Sequence, residues 1–124
     1  EIIRQNVNYE NHQIHIAYHN LGKIYKELGE YNRAITHFDK AIIIQKFSSS
    51  SADSQTAKSY HELGVAFEAL GDFESSKKFY EKGLEMRRAI YGEQHQEVAE
   101  SYDGLASTFE SLGDLTKALT DIPA

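Results

Sequence analysis

The stretch "LGKIYKELGEY", residues 21–31, decides how this chain folds, because it returns as "LGVAFEALGDF" at 63–73 and as "LASTFESLGDL" at 105–115. Both steps are 42 residues. Self-similarity at a fixed period marks units that cannot bury their apolar faces alone and must stack on copies of themselves.

Working outward from the first copy, Ala17, Tyr18, Leu21, Ile24, Tyr25 and Leu28 follow the i, i+3, i+4, i+7 spacing of one helical face. Gly29 then predicts a stop, since glycine takes the left-handed conformation that ends helices. Tyr31, Ala34, Ile35, Phe38, Ala41 and Ile42 form a second stripe directly afterwards. The unit is two antiparallel helices joined by a turn of about three residues. In the second copy Tyr60, Leu63, Phe67 and Leu70 precede the stop at Gly71, and Phe73, Tyr80 and Leu84 follow it. In the third, Tyr102, Leu105, Phe109 and Leu112 precede Gly113, and Leu115, Ala118, Leu119 and Ile122 follow. Gly22, Gly64 and Ala106 are expected where helices approach closely.

Composition agrees with a helical, water-facing protein. Of 124 residues, 40% are apolar and 26% charged, enough for one core and a polar surface. The longest apolar run, 41–44, falls far short of the ~20 residues that cross a bilayer. A net charge of −6 without any basic stripe argues against a nucleic-acid partner. With no cysteine there is no disulfide, thiolate metal site or cysteine nucleophile, and a reducing compartment fits. The single proline, Pro123, leaves the helix formers Ala, Leu, Glu, Lys and Gln to fill the intervening stretches.

The phrases Tyr18-x2-Leu21-Gly22-x2-Tyr25 with Ala34-x3-Phe38, Tyr60-x2-Leu63-Gly64-x2-Phe67 with Ser76-x3-Tyr80, and Tyr102-x2-Leu105-Ala106-x2-Phe109 with Ala118-x3-Ile122 resemble the tetratricopeptide repeat pattern W-x2-L-G-x2-Y…A-x3-F. Tyrosine stands for tryptophan in every copy. The family period is about 34 residues, and the surplus here amounts to roughly two helical turns. Lys46 and Arg88 occupy the places of the family's closing proline, so the second helix of each pair runs on. That longer helix, and "YGEQHQEVAESYDGLA" at 91–106, resemble the kinesin light chain type of repeat. The resemblance implies an all-α fold, a right-handed superhelical α-solenoid of antiparallel helix pairs, and a non-enzymatic cytoplasmic adaptor for protein partners.

The ends extend this reading. Glu1–Tyr18 aligns without gaps to Glu85–Tyr102, with Glu1 matching Glu85 and Arg4 matching Arg88. Residues 1–14 are therefore expected as the tail of a preceding repeat's second helix plus a turn. Repeats follow at 15–56, 57–98 and 99–124, the last with a truncated second helix. The chain reads as a window of a longer array, and self-association through exposed repeat ends follows from bare apolar faces. "FSSSSADSQ", 47–55, reads as the ordinary turn between repeats. Asp53 or Ser54 is a candidate helix cap there, and a phosphorylated serine would add negative charge near the helix start.

In stacks of this kind the first helix of each pair lines a concave face. Its non-core stripe is Ile16, His19, Asn20, Lys23, Lys26 and Glu27 in the first copy, and Lys58, His61, Glu62, Val65, Glu68 and Ala69 in the second. The third gives Glu100, Asp103, Gly104, Ser107, Glu110 and Ser111. Charge shifts along it, from Lys23 and Lys26 against Glu27 to Glu100, Asp103 and Glu110 with no basic residue. A peptide or partner helix is the expected ligand, with an acidic or carboxylate-bearing stretch favoured at the end lined by His19, Asn20, Lys23, Lys26, Lys58 and His61. Asn20 can donate to and accept from a peptide backbone at once. "HNLG" matches the groove-asparagine pattern that the resemblance implies, but Glu62 and Gly104 stand at the equivalent places.

His12, His15 and His19 share one helical face, and the i, i+4 spacing of His15 and His19 lets two imidazoles reach one metal. Neighbouring first helices lie about 10 Å apart, too far for easy shared ligation. No HExxH or matching third ligand completes a site, so no metal or cofactor is assigned. No phosphate loop, nucleophile elbow or dinucleotide fingerprint is present. The expected function is an adaptor that binds a peptide or helix in its groove. The alternatives are a self-assembling scaffold joined through its stacking ends, or the sensor array of a larger multidomain signalling protein.

Overall fold

The computed structural model describes residues 2–47 and 54–120, with side chains described over 12–47 and 54–117. Five helices follow one another: α1 (Ile2–Glu27), α2 (Tyr31–Phe47), α3 (Ser54–Ala69), α4 (Phe73–Tyr91) and α5 (Gln96–Thr120). Each packs chiefly on the next in sequence, while α1 also touches α3 and α3 touches α5. The three odd-numbered helices therefore line one side. No described helix is long and apolar enough to cross a membrane.

The two turns between α1 and α2 and between α3 and α4 are built alike. Gly29 has φ 78° and Gly71 has φ 81°. After each, the next amide reaches back to the helix, Glu30 N–H to Tyr25 O and Asp72 N–H to Phe67 O, both at 2.9 Å. This double closure of the last carbonyls is the Schellman arrangement, which needs a left-handed residue where only glycine is unstrained. Asp72 then caps α4, its carboxylate accepting from the Ser75 amide at 3.2 Å.

Inside each hairpin one ring holds the two helices together. A Cβ on Gly22 would lie 2.7 Å from Phe38, and one on Gly64 would lie 2.7 Å from Tyr80. The glycines are notches in which those rings sit. Next to the notch, Phe79 stacks between Tyr60 and Phe67 at centroid distances of 6.2 and 5.4 Å. In the first hairpin His37 takes the same place, 6.0 Å from Tyr18 and 5.0 Å from Tyr25.

Between hairpins the core is continuous. Ala34, Phe38 and Ile42 of α2 cluster with Leu63 of α3, and Tyr80 and Leu84 of α4 cluster with Val98 and Leu105 of α5. Burying each large side chain there stabilises the stack by about 1.5–3 kcal/mol. A polar link accompanies the second junction, where the Ser76 hydroxyl pairs with Thr108 at 3.1 Å.

Three expectations are corrected. The stop at Gly113 does not occur: α5 runs through it to Thr120, and Gly113 lacks the positive φ of its counterparts. The third copy has changed the parts that fold a hairpin shut. Ala106 fills the notch, and the seating residues Phe38 and Tyr80 are matched by Ile122, and His37 and Phe79 by Asp121. A glycine inside a helix costs only about 1 kcal/mol, so without those contacts the helix continues. Likewise no turn interrupts 2–14, because α1 is unbroken from Ile2. The turn after α4 uses Gly92 at φ 81°, whereas the aligned position is Asn8. Finally, Ala17, Leu21, Ile24 and Leu28 were expected on a core face and are exposed, for α1 has no helix on that side. Ile122, Pro123 and residues 48–53, where the Asp53 cap and a phosphorylated serine were expected, lie outside the described residues, and Ser54, the other candidate cap, is the first residue of α3.

Candidate functional site

The side lined by α1, α3 and α5 carries a ladder of polar contacts running from helix to helix. At its first rung His19 Nδ1 and the Ser59 hydroxyl are 2.8 Å apart. Next, Lys26 Nζ donates to Glu62 at 2.5 Å, both side chains being largely covered. Between α3 and α5, His61 Nε2 meets Glu100 at 3.2 Å. Glu68 accepts from the Tyr80 hydroxyl at 2.8 Å and from the Ser107 hydroxyl at 2.6 Å.

A second set of charges stands behind this ladder. Arg87 of α4 is buried, and its guanidinium donates to Glu97 at 3.0 Å, Glu100 at 3.2 Å and the Ser101 hydroxyl at 3.0 Å. Glu100 thus serves Arg87 and His61 together. Wheel counting missed Arg87, although a signal existed: it repeats the position of Gln45, and both are polar residues within an otherwise apolar stripe.

Burial sets the chemistry of the two histidines. His19 is held down to about pKa 4, first by burial, then by the charges of Lys23, His15, Lys58 and Lys26. His61 is also lowered, by burial and by Arg87, against the opposing pull of Glu100 and Glu62. The phenol of Tyr80 is pushed up by burial and by its bond to Glu68. All three are therefore neutral structural groups near neutral pH.

Among the residues expected to meet a ligand, only some are open. Asn20 and Lys23 are exposed and line, with Ile24 and Glu27, a hollow of about 320 Å³. Lys58, Asp103 and Glu110 are exposed farther along, Val65 is half-buried, and His19, Lys26, His61, Glu62, Glu68 and Ser107 are engaged in the ladder. Gly104, the counterpart of Asn20, has a structural cause: a Cβ there would lie 2.6 Å from the Tyr80 ring, which is sandwiched between Gly64 and Gly104. His15 and His19 address different elements, the Ala41 carbonyl at 3.2 Å and Ser59. No group of three or more metal-ligating side chains occurs among the described residues.

The profile of the tetratricopeptide repeat family matches residues 13–89 and again 55–120. The chain belongs to the tetratricopeptide repeat family. Repeats of this family generally mediate protein–protein interaction. Among solved structures, BtubC (BKLC) from P. vanneervenii is 26% identical with a TM-score of 0.74, over 82% of this chain and 40% of that one. A kinesin light chain with nearly identical TPR-like repeats from Podosopora anserina is 20% identical with a TM-score of 0.70, over 89% of this chain and 52% of that one. This tetratricopeptide chain spans 40–52% of the length of those solved chains. Comparison with curated proteins finds no match. The solenoid architecture and its kinesin light chain-like repeat thus stand on both sequence and shape.

Proposed function

We propose that this tetratricopeptide segment is a cytoplasmic adaptor that captures an acidic peptide or partner helix on the face lined by its first helices. One observation carries the reading: Asn20 and Lys23 stand open beside the apolar side chain of Ile24 in one hollow, while most other polar groups of that face are used in holding helices together. An apolar wall with a cation and an amide suits a carboxylate-bearing chain whose backbone needs a partner. Lys58 extends the basic end, and Asp103 and Glu110 make the opposite end acidic, which gives a bound chain a preferred direction.

Because exposed charges contribute about 0–1 kcal/mol each, Lys23 selects and steers while Ile24 supplies apolar contact. The test is titration of a fluorescein-labelled Glu- and Leu-rich peptide against the wild type and Lys23→Glu. Reversing the charge is expected to weaken binding roughly fivefold, about 1 kcal/mol. Equal affinity for both proteins removes the hollow from the binding face.

A further inference from the structure

On the side away from the polar ladder, α2 packs on α3 and α3 on α4, yet no described Cα of α2 comes within 8 Å of one in α4. A furrow therefore runs between these two second helices, with α3 as its floor. It lies between two complete hairpins, so every helix that bounds it is in place. Its floor and one wall are aromatic: Tyr60 and Phe67 of α3, with Phe79 of α4 stacked between them. These rings, together with Ile35 of α2, pack over the core around Phe38 and Leu63 and are half-buried rather than covered.

Two lysines of α4 stand over that ring stack. Lys82 Nζ lies 5.6 Å from the Tyr60 centroid and 5.7 Å from that of Phe79, and Lys78 Nζ lies 5.6 Å from Phe79. The device recurs in the first hairpin, where Lys40, the counterpart of Lys82, lies 5.6 Å from the Tyr18 ring. Lys78 and Lys82 are exposed, and among the described residues neither pairs with a carboxylate. Across the furrow, Ile35, Asp39 and Lys46 share one stripe of α2, so the charges of that bank cancel. Lys46, Lys78 and Lys82 against Asp39 leave an excess of two positive charges. Glu74, Glu81 and Glu85 of α4 are set about 120° or more around the helix from Phe79.

We propose that this furrow docks an acidic amphipathic helix of a partner protein, its carboxylates meeting Lys78 and Lys82 and an aliphatic side chain resting on the Tyr60 and Phe79 rings. Charge selects the occupant. The chain as a whole carries −6, yet the unpaired side chains over these rings are basic. Lys78 and Lys82 are four residues apart, so their ammoniums project one helical turn from each other. That spacing matches glutamates at i and i+4 of a helix lying alongside. Each ammonium is drawn to the π face beneath it, which presents it at a fixed place with less side-chain freedom to lose on binding. Apolar contact with the rings holds the partner helix, while the paired charges orient it and exclude basic ones. Asp39, on the opposite bank, repels the same glutamates and limits the affinity. The furrow and the face lined by the first helices are separate surfaces, and neither reading rests on the other.

The probe is a hydrocarbon-stapled helical peptide with glutamates at i and i+4 flanking a leucine, titrated into isotope-labelled protein while backbone amide NMR shifts are followed. The largest shifts are expected at Ile35, Tyr60, Phe79 and Lys82, and their concentration dependence gives the affinity of this face separately from residues 20–27. At those amides Lys82→Glu should weaken binding about fivefold, and Asp39→Asn should strengthen it about twofold. Circular dichroism verifies that both variants keep their helicity. No shift at the furrow, whether or not residues 20–27 respond, overturns the proposal without touching the groove reading. Equal affinity of the wild type and Lys82→Glu at the furrow amides, or weaker binding by Asp39→Asn, overturns it as well.

Discussion

His19 shows how a residue's place on a helix can be read from sequence while its depth cannot. Its place on the helical wheel puts it on the ligand-facing stripe. Its depth is decided by Ser59, forty residues away, and by the Phe38 ring 5.4 Å from its own. Nothing local in the sequence reports either partner. Asn20 and Lys23, one and four residues on, have no such cover and were legible as exposed. The buried imidazole has a measurable consequence. Above pH 6.5 His19 is neutral whether the chain is folded or not, and it makes no contribution to pH dependence. Between 6.5 and about 4 the unfolded chain takes a proton that the folded one refuses, so stability falls as pH falls. The loss amounts to on the order of 3 kcal/mol by pH 4. Urea unfolding at pH 7 and at pH 4.5 should show the midpoint dropping in the wild type and dropping less in His19→Gln. Parallel drops in both proteins would remove His19 as the cause.

At the level of the helix, identical residues do different things according to what surrounds them. Gly29 and Gly71 turn the chain, whereas Gly113, in the same phrase, does not. The repeated "LG" followed by an acidic residue made the first two hairpins legible from sequence. It misled at the third because the instruction to turn lies partly in the residue nine further along, where a ring must meet a notch. Substitution separates the two environments. Gly71→Ala places a side chain at φ 81° and should destabilise by about 1–2 kcal/mol. Gly113→Ala meets nothing within 4 Å and removes a weak helix former, so it should stabilise by about 1 kcal/mol. Thermal or urea denaturation reads both signs, and a Gly113→Ala protein that loses stability would show that the helix breaks there after all.

For the molecule as a whole, the ordering of contacts matters more than their total. Each helix leans on its predecessor and successor, and no described contact ties α1 to α4 or α5. Stability in such an array is a sum of neighbour terms, so the ends open more easily than the middle. Hydrogen exchange should be slowest in α3 and the facing parts of α2 and α4, and fastest in the first turns of α1 and the last turns of α5. Uniform protection across all five helices would contradict that ordering. Architecture was the most legible level of all, because a fixed 42-residue step dictates neighbour stacking whatever the details of any one turn.

The Tyr80 ring, gripped between Gly64 on one side and Gly104 on the other, gives this arrangement a mechanical meaning. It is an axle shared by two consecutive first helices: a tilt of α5 must roll against the same disc that fixes α3 to α4. A tilt of α5 would thus be felt at the hairpin of α3 and α4 through that single disc.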